Sequence, residues 1–405
     1  MALISCWKAD FPVFTQSDQP LYYLDSAASS LVPKVVADAS YQYLLNEHAN
    51  SHRGFYPLSA QLTQRIEDIR AQVANFINAP SADNIIFNSG TTAGIHLVAN
   101  GLNRLKSGSG NIVISAAEHH ANFLPWQQIA ENSDIELRVV PLAASGQVDM
   151  ARLERLIDDN TLIVAVTHLS NVLGVENPIA SIGKLTRRHG AFLLVDGAQF
   201  AAHGKVNVQA LGCDFYVFSG HKLYSGLGSG VLFASDAAIA ELAPVVLGGG
   251  MVNSVSVSDS TWANGVRKFE AGTLNAQAII ALSAGLRYLK QAEAEGAHTY
   301  LAELTQFALD KLAAFGGINI YSVQQSKPQS IISFNLEGVH SHDVAMVLAE
   351  HHIAVRAGHH CAQPLRHWLG VGSTVRVSLG LYNQAEDIEQ LLVGLEACRQ
   401  LFIVR

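Results

Sequence analysis

The sequence predicts an α/β protein: a large, mostly parallel sheet, followed by a smaller α+β domain towards the C-terminus. Three observations lead there. Short β-branched runs alternate with helical patterns through the middle of the chain. Those runs are continuously apolar rather than alternating, as strands buried on both faces are. Near Leu247 the pattern gives way to a glycine- and serine-rich stretch, after which helices and shorter strands resume.

The strand runs come in order. "NIIFN" (84–88) precedes a glycine turn and the helical "AGIHLVANGL", and "NIVIS" (111–115) precedes "AAEHHANFLPWQQIA". "LIVAVTH" (162–168), "AFLLVD" (191–196), "DFYVFS" (214–219) and "GVLFAS" (230–235) follow. In parallel α/β sheets the site lies beyond the carboxyl ends of the strands. Asn88, Ser115, His168, Asp196 and Ser219 close these runs, which places the chemistry there. "LGGGMVNSVSVSDS" reads as an irregular connector. A long helix is expected from about Gln277, then "SIISFNLEG", "SHDVAMVLAEHH", "IAVRAG" and "TVRVSLGLY", whose sheet would carry Arg356, Cys361 and Arg376. The expected domains are 20–275 and 276–405, with 1–19 packing near the second.

Composition narrows the function. With 405 residues, 49% hydrophobic and 15% charged, the chain is globular rather than disordered. Its net charge of −8 argues against a dedicated nucleic-acid binder. No apolar run approaches the roughly 18 residues of a spanning helix, and the N-terminus lacks the apolar core of a signal peptide. A soluble cytoplasmic protein is the expectation. Cys6, Cys213, Cys361 and Cys398 lie far apart without a CxxC pair, which weakens zinc and disulfide readings.

Three stretches suggest a pyridoxal-phosphate site. "LLVDGAQ" ends a strand at Asp196, and "FSGHKLYSG" ends the next at Ser219 with Lys222 just beyond. A lysine that bonds the cofactor aldehyde and a carboxylate that pairs with the ring nitrogen suit this placement. "NSGTTAGIH" offers a strand end, Gly90, Thr91, Thr92 and a helix start, where orphan N–H groups favour a phosphate. Singly these have ordinary readings: Asp196 as a helix cap, Lys222 as a surface lysine, the threonines as caps. "EHHANFLPW" adds His119 and His120 after another strand, as a ring-stacking imidazole or as plain loop histidines.

The full set of motifs resembles the group II cysteine desulfurases (SufS/CsdA type) among the class-V, fold-type I pyridoxal-phosphate enzymes. The likeness runs nearly end to end, through "LDSAASSLVP", "SHRGFYPLSAQ", "EHHANFLPW", "THLSNVLGVENP", "VDGAQ", "DFYVFSGHKLY", "FEAGT", "VRAGHHCAQPL" and "RVSLGLYN". By matching motif, the resemblance implies Lys222 as the cofactor lysine and Asp196 as partner of the ring nitrogen. It further implies His119 stacked on the ring, Gln199 at its phenolic oxygen, and Thr92, Ser219 and His221 on the phosphate. Thr273 would reach the phosphate of a neighbouring subunit, so a homodimer is implied. Asn171 and Arg376 would bind the substrate carboxylate, with His52 and Arg356 lining the pocket. Cys361 would take the sulfur of L-cysteine as a persulfide, leave L-alanine, and hand the sulfur to a SufE/CsdE-like acceptor, the sulfur mobilisation that feeds iron–sulfur cluster assembly. Selenocysteine lyase or cysteine sulfinate desulfinase activity is the alternative on the same scaffold. His359, His360 and Arg356 are expected to bias Cys361 toward thiolate. The chain departs from the family pattern in "YSGLGSG" after Lys222, where "YGPTGIG" is usual, and in Leu274, where proline is common.

Overall fold

The computed structural model describes residues 3–16, 19–51, 54–322 and 329–402. Its larger sheet has seven strands, numbered here in chain order: β1 (Ile85–Asn88), β2 (Ser109–Ser115), β3 (Asp134–Val140), β4 (Thr161–Thr167), β5 (Phe192–Asp196), β6 (Phe215–Ser219) and β7 (Gly230–Ala234). Across the sheet they run β1-β7-β6-β5-β4-β2-β3. Only β7 opposes its neighbours; the other pairings are parallel. Strands β5, β6 and β7 are buried along their whole length, as their unbroken apolar runs require.

The order of strands locates the site. From β2 the chain steps outward to β3, then returns past β2 to β4 and continues through β5 and β6 in the other direction. The reversal opens a crevice at the carboxyl ends. Asn88, Ser115, Thr167, Asp196 and Ser219 end strands that point toward it.

A second, four-stranded antiparallel sheet comprises β8 (Ile318–Ile320), β9 (Ile331–Leu336), β10 (Arg356–Gly358) and β11 (Thr374–Ser378), in the order β8-β9-β11-β10. It carries Arg356 and Arg376 as register partners on β10 and β11. Cys361 lies beyond the end of β10, in the turn before the helix Gln363–Leu369, rather than in the sheet. The N-terminal segment closes on this region: Tyr22–Tyr23 pairs with Ile353–Ala354, and Asp25 bridges to Ser378. The long helix Ala276–Ala294 packs on the helices Lys34–Asn46 and Pro57–Phe76.

Two elements differ from expectation. Strand β3, "DIELRVV", is absent from the sequence reading because it lies at the sheet edge and alternates exposed and buried residues, without an apolar run. The connector after Leu247 contains a hairpin, Val252–Val255 with Ser260–Trp262, whose residues are almost all exposed.

One buried ion pair ties β1 to the "FEAGT" segment. Arg70 forms a bidentate pair with Glu270, at 2.6 and 2.9 Å, and also donates to Ile85 O at 2.8 Å. The Phe87 N–H donates to the same Glu270 carboxylate at 2.7 Å. Arg70 also pairs with Glu67 at 3.0 Å, so removing Glu270 leaves the buried arginine one acid instead of two, at the low end of the about 3–5 kcal/mol that breaking a buried pair costs. Glu270→Ala is therefore expected to lower the thermal unfolding midpoint substantially. An unchanged midpoint would show that the pair is dispensable.

Candidate active site

The carboxyl ends of the large sheet and the turn after β10 enclose a cavity of about 250 Å³. Its walls include Thr91, Thr92, His119, Asn171, Asp196, Gln199, Ser219, His221, Lys222, Arg356, His360, Cys361 and Arg376. Eleven of the thirteen residues singled out from sequence thus converge. Thr273 does not. It is exposed and lines a separate cavity of about 310 Å³ with Ser51, Gly249 and Gly272. His52 lies outside the described residues. Of the strand-end polar residues, His168 also turns away. It is buried against Phe200, with ring centroids 3.6 Å apart, and its Nδ1 lies 3.0 Å from the Tyr216 hydroxyl. The preceding residue, Thr167, lines the cavity instead.

Lys222 follows β6 in a tight 3-10 turn, Gly220–Lys222. Gly220 leaves no room for a side chain, because a Cβ there would lie 2.2 Å from Ser229 Oγ and 2.3 Å from Ser225 Oγ. Those two serines belong to the unusual turn after the lysine, so that turn packs directly behind it. Burial is the main cause that lowers the Lys222 pKa to about 8, partly opposed by the Asp196 carboxylate. Above that pH the amine is neutral and nucleophilic; below it the amine is an unreactive ammonium. Uptake of pyridoxal phosphate by cofactor-free protein is thus expected to accelerate up to about pH 8 and then level off. A solvated lysine would continue to gain up to about pH 10.4. Stopped-flow absorbance across pH 6–11 separates the two.

Asp196 is 5% exposed at the end of β5. Burial raises its pKa, against the Ala198 N–H at 2.9 Å and the charge of Lys222. Glu118, near enough to Asp196 to feel its charge, joins the ends of β2 and β4. Its carboxyl accepts from Ser115 Oγ, from Asn122 Nδ2 at 2.6 Å and from Thr167 N at 2.9 Å. Burial raises the Glu118 pKa to about 8, partly opposed by these hydrogen bonds. The sequence reading passed over Glu118, whose place in "AAEHH" resembles a solvated loop acid.

His119 also lines the cavity. Burial, then the nearby Lys222, lower its pKa to about 4, so its imidazole is neutral. Nδ1 accepts from Ala121 N at 3.1 Å, which assigns the ring proton to Nε2. Gln199 Nε2 donates to Ala27 O at 2.9 Å and so has a fixed orientation.

The helix Thr91–Gly101 begins at the cavity. Gly90 adopts φ +151°, which a side chain would strain. Ser219 Oγ sits 2.7 Å from both Thr91 N and Thr91 Oγ1, so β6 is pinned to the helix start. Thr92 and His221 line the same end. Hydroxyls and free N–H groups at a helix N-terminus form an anion site.

Cys361 is exposed and its backbone is left-handed, φ +56°, as is that of His360, φ +51°. Consecutive left-handed residues other than glycine are costly and need external support. His120 N–H donates to Cys361 O at 2.6 Å and Asn171 Nδ2 donates to His360 O at 2.8 Å. His360 Nε2 contacts Thr374 Oγ1 at 2.9 Å, and burial holds its pKa near 3. A neutral His360 supplies no charge to the thiol. The cations that face Cys361 are Lys222, Arg356 and Arg376. Both arginines share one partner that the sequence reading missed, Asp25. It accepts from Arg376 Nη2 at 2.9 Å and from Arg356 Nη2 at 3.0 Å and Nε at 3.1 Å.

Among the described residues no group of three or more His, Cys, Asp or Glu is placed to hold a metal ion. No helix there is long and apolar enough to cross a membrane.

Comparison with known proteins agrees with this geometry. Over 399 residues the chain is 45% identical to a cysteine desulfurase of Salmonella agona, covering 97% of this chain and 98% of that one. The crystal structure of the cysteine desulfurase CsdA from Escherichia coli superposes with a TM-score of 0.91 at 36% identity, over 98% of both chains. An apo cysteine desulfurase from Thermococcus onnurineus gives a TM-score of 0.92 at 35% identity, again over 98% of each. The aminotransferase class-V family model matches residues 22–391, and the chain belongs to that family.

Proposed function

We propose that the chain is a pyridoxal-phosphate-dependent cysteine desulfurase, in which Lys222 moves the substrate's Cα proton and Cys361 takes its sulfur. The observation that carries this reading is the meeting of Lys222, Asp196 and Cys361 on one cavity, from segments far apart in sequence. Pyridoxal phosphate, when bound, supplies an electron-accepting ring that weakens the Cα–H and Cβ–S bonds of an amino acid.

The cavity suits that group. Asp196 is a buried carboxylate whose one hydrogen-bond donor among the described residues is Ala198 N–H, and a cationic ring nitrogen would complete it. Lys222 is a buried amine neutralised within reach of pH 7. Thr92, Ser219 and His221 at the helix start would hold the phosphate. His119, with its proton on Nε2, would stack on the ring, and Gln199 would face the phenolic oxygen.

The remaining residues work on the substrate. Arg376 is 2% exposed, and its Nε has no acceptor among the described residues. It is assigned the L-cysteine carboxylate, together with Asn171 and with Arg356 at the rim. Lys222 takes the Cα proton and returns it. Cys361 then attacks the substrate sulfur as a thiolate. The new S–S bond forms as the Cβ–S bond breaks, the electron pair stays on carbon, and protonation there gives L-alanine.

The sulfur leaves on a second protein's thiol, a SufE/CsdE-like acceptor, for which the exposure of Cys361 provides access. A homodimer is part of the proposal, with Thr273, exposed and away from its own chain's cavity, assigned to the partner's phosphate. So are a cofactor-binding domain (20–275), a nucleophile-bearing domain (276–405) and a cytoplasmic site of action, which suits four free thiols. Holoprotein given L-cysteine and a reductant should release L-alanine and sulfide in equal amounts. A keto acid in place of alanine would contradict the reading.

A further inference from the structure

We infer that Asp25 is a positioning residue for substrate binding: it holds Arg356 and Arg376 together in the cavity wall so that the pair receives one carboxylate. This rests on the cavity being the amino-acid site proposed above.

The backbone sets the arrangement. Arg356 and Arg376 are register partners on antiparallel β10 and β11. Like charges directly opposite each other on paired strands repel. Asp25 follows Tyr22–Tyr23, which pairs with Ile353–Ala354 just before Arg356. Its own main chain bridges to Ser378, just after Arg376. The N-terminal segment is thus threaded past both arginines and places one acid between them.

The hydrogen bonds divide the work. Asp25 Oδ2 accepts from Arg356 Nε and Nη2, at 3.1 and 3.0 Å, and the same Nε also reaches Oδ1 at 3.3 Å. Oδ1 accepts from Arg376 Nη2 at 2.9 Å, and Arg376 Nη1 donates to Asn171 O at 3.1 Å. Arg376 Nε remains, buried and without an acceptor among the described residues. Arg376 is almost wholly buried and Arg356 about half exposed, with Asp25 between them. Two guanidiniums and one carboxylate leave a net charge of +1, which matches a single α-carboxylate. Without Asp25, Arg376 would be a buried cation facing a second cation, with one carbonyl to fix it. Asp25 itself is absent from the cavity lining, so it acts through the arginines.

Asp25→Asn keeps the shape and removes the charge. The expected result is a KM for L-cysteine at least about tenfold higher, since the arginines lose the charge that orients them. The kcat at saturation should stay within about threefold, and the absorption spectrum of the bound cofactor should be unchanged. Asp25→Glu should recover part of the KM. A merely structural role would reduce the active fraction and leave KM alone; that result, or an unmoved KM in Asp25→Asn, overturns the proposal. Should Asp25→Asn fail to fold, the double variant Asp25→Asn/Arg356→Gln, which lacks the second cation, is expected to fold with a KM above that of Arg356→Gln alone; equal KM values in the two overturn the proposal. Failure of both to fold would assign Asp25 to the fold and also overturn it. Wild-type enzyme run alongside separates the two readings: no alanine from wild type refutes the function, whereas alanine with an unmoved KM in the variant refutes only the role of Asp25.

Discussion

Lys222→Ala is expected to abolish turnover of L-cysteine and to remove the absorption band of the lysine-bound cofactor. Two losses combine. A positioned general base contributes roughly 10²–10⁴ in rate, and the covalent anchor of the cofactor goes with the same amine. The residue is buried at a strand end with its pKa lowered to about 8, so at neutral pH it exchanges a proton readily. Lys222→Arg should not restore activity, since a guanidinium stays protonated at any working pH. Added methylamine should recover a fraction of the Lys222→Ala rate by standing in for the missing base. A Lys222→Ala protein that kept both its absorption band and its rate would end the assignment of this lysine.

Cys361→Ala is expected to reduce alanine formation from L-cysteine by on the order of 10²-fold or more, as loss of the nucleophile splits the reaction from its sulfur acceptor. The cofactor spectrum should not change, because Cys361 sits on the turn after β10 and the proposed cofactor contacts come from the large sheet. Stability is not the cause of the predicted loss. The thiol is exposed, and the hydrogen bonds that fix the turn use the Cys361 and His360 carbonyls, which survive truncation. Cys361→Gly makes the point more sharply. Glycine tolerates φ +56° without strain, so this variant should be at least as stable as Cys361→Ala and equally inactive. Loss of the cofactor spectrum in either variant would point to a structural role for the cysteine.

How far the sequence discloses this molecule depends on what each residue's neighbours are. Strands β5, β6 and β7 are legible because both faces are covered and their apolar runs are unbroken. Strand β3 is illegible because its edge position leaves charged residues among the buried ones. Asp196, Lys222 and Thr92 are legible because chemistry at strand ends follows from topology alone. Asp25 and Glu118 are not. Asp25 pairs with Arg356 and Arg376, more than 330 positions away, and although Ser115 and Asn122 lie within four residues of Glu118, the contact that joins two strand ends is to Thr167, 49 positions away. His168 shows the opposite error: a polar residue at the end of an apolar run, turned by one residue's alternation onto Phe200 and Tyr216. The expected influence of His360 on Cys361 fails for a physical reason, since burial keeps that ring neutral.

The central claim is that sulfur passes from the substrate to Cys361. Holoprotein incubated with L-cysteine, without reductant, and analysed by intact mass followed by peptide mapping tests it most directly. The account predicts a mass increase of one sulfur atom, removed by a thiol reductant and located on the peptide that contains Cys361. Alanine released with no sulfur on the protein, or sulfur found on Cys6, Cys213 or Cys398 instead, would contradict it.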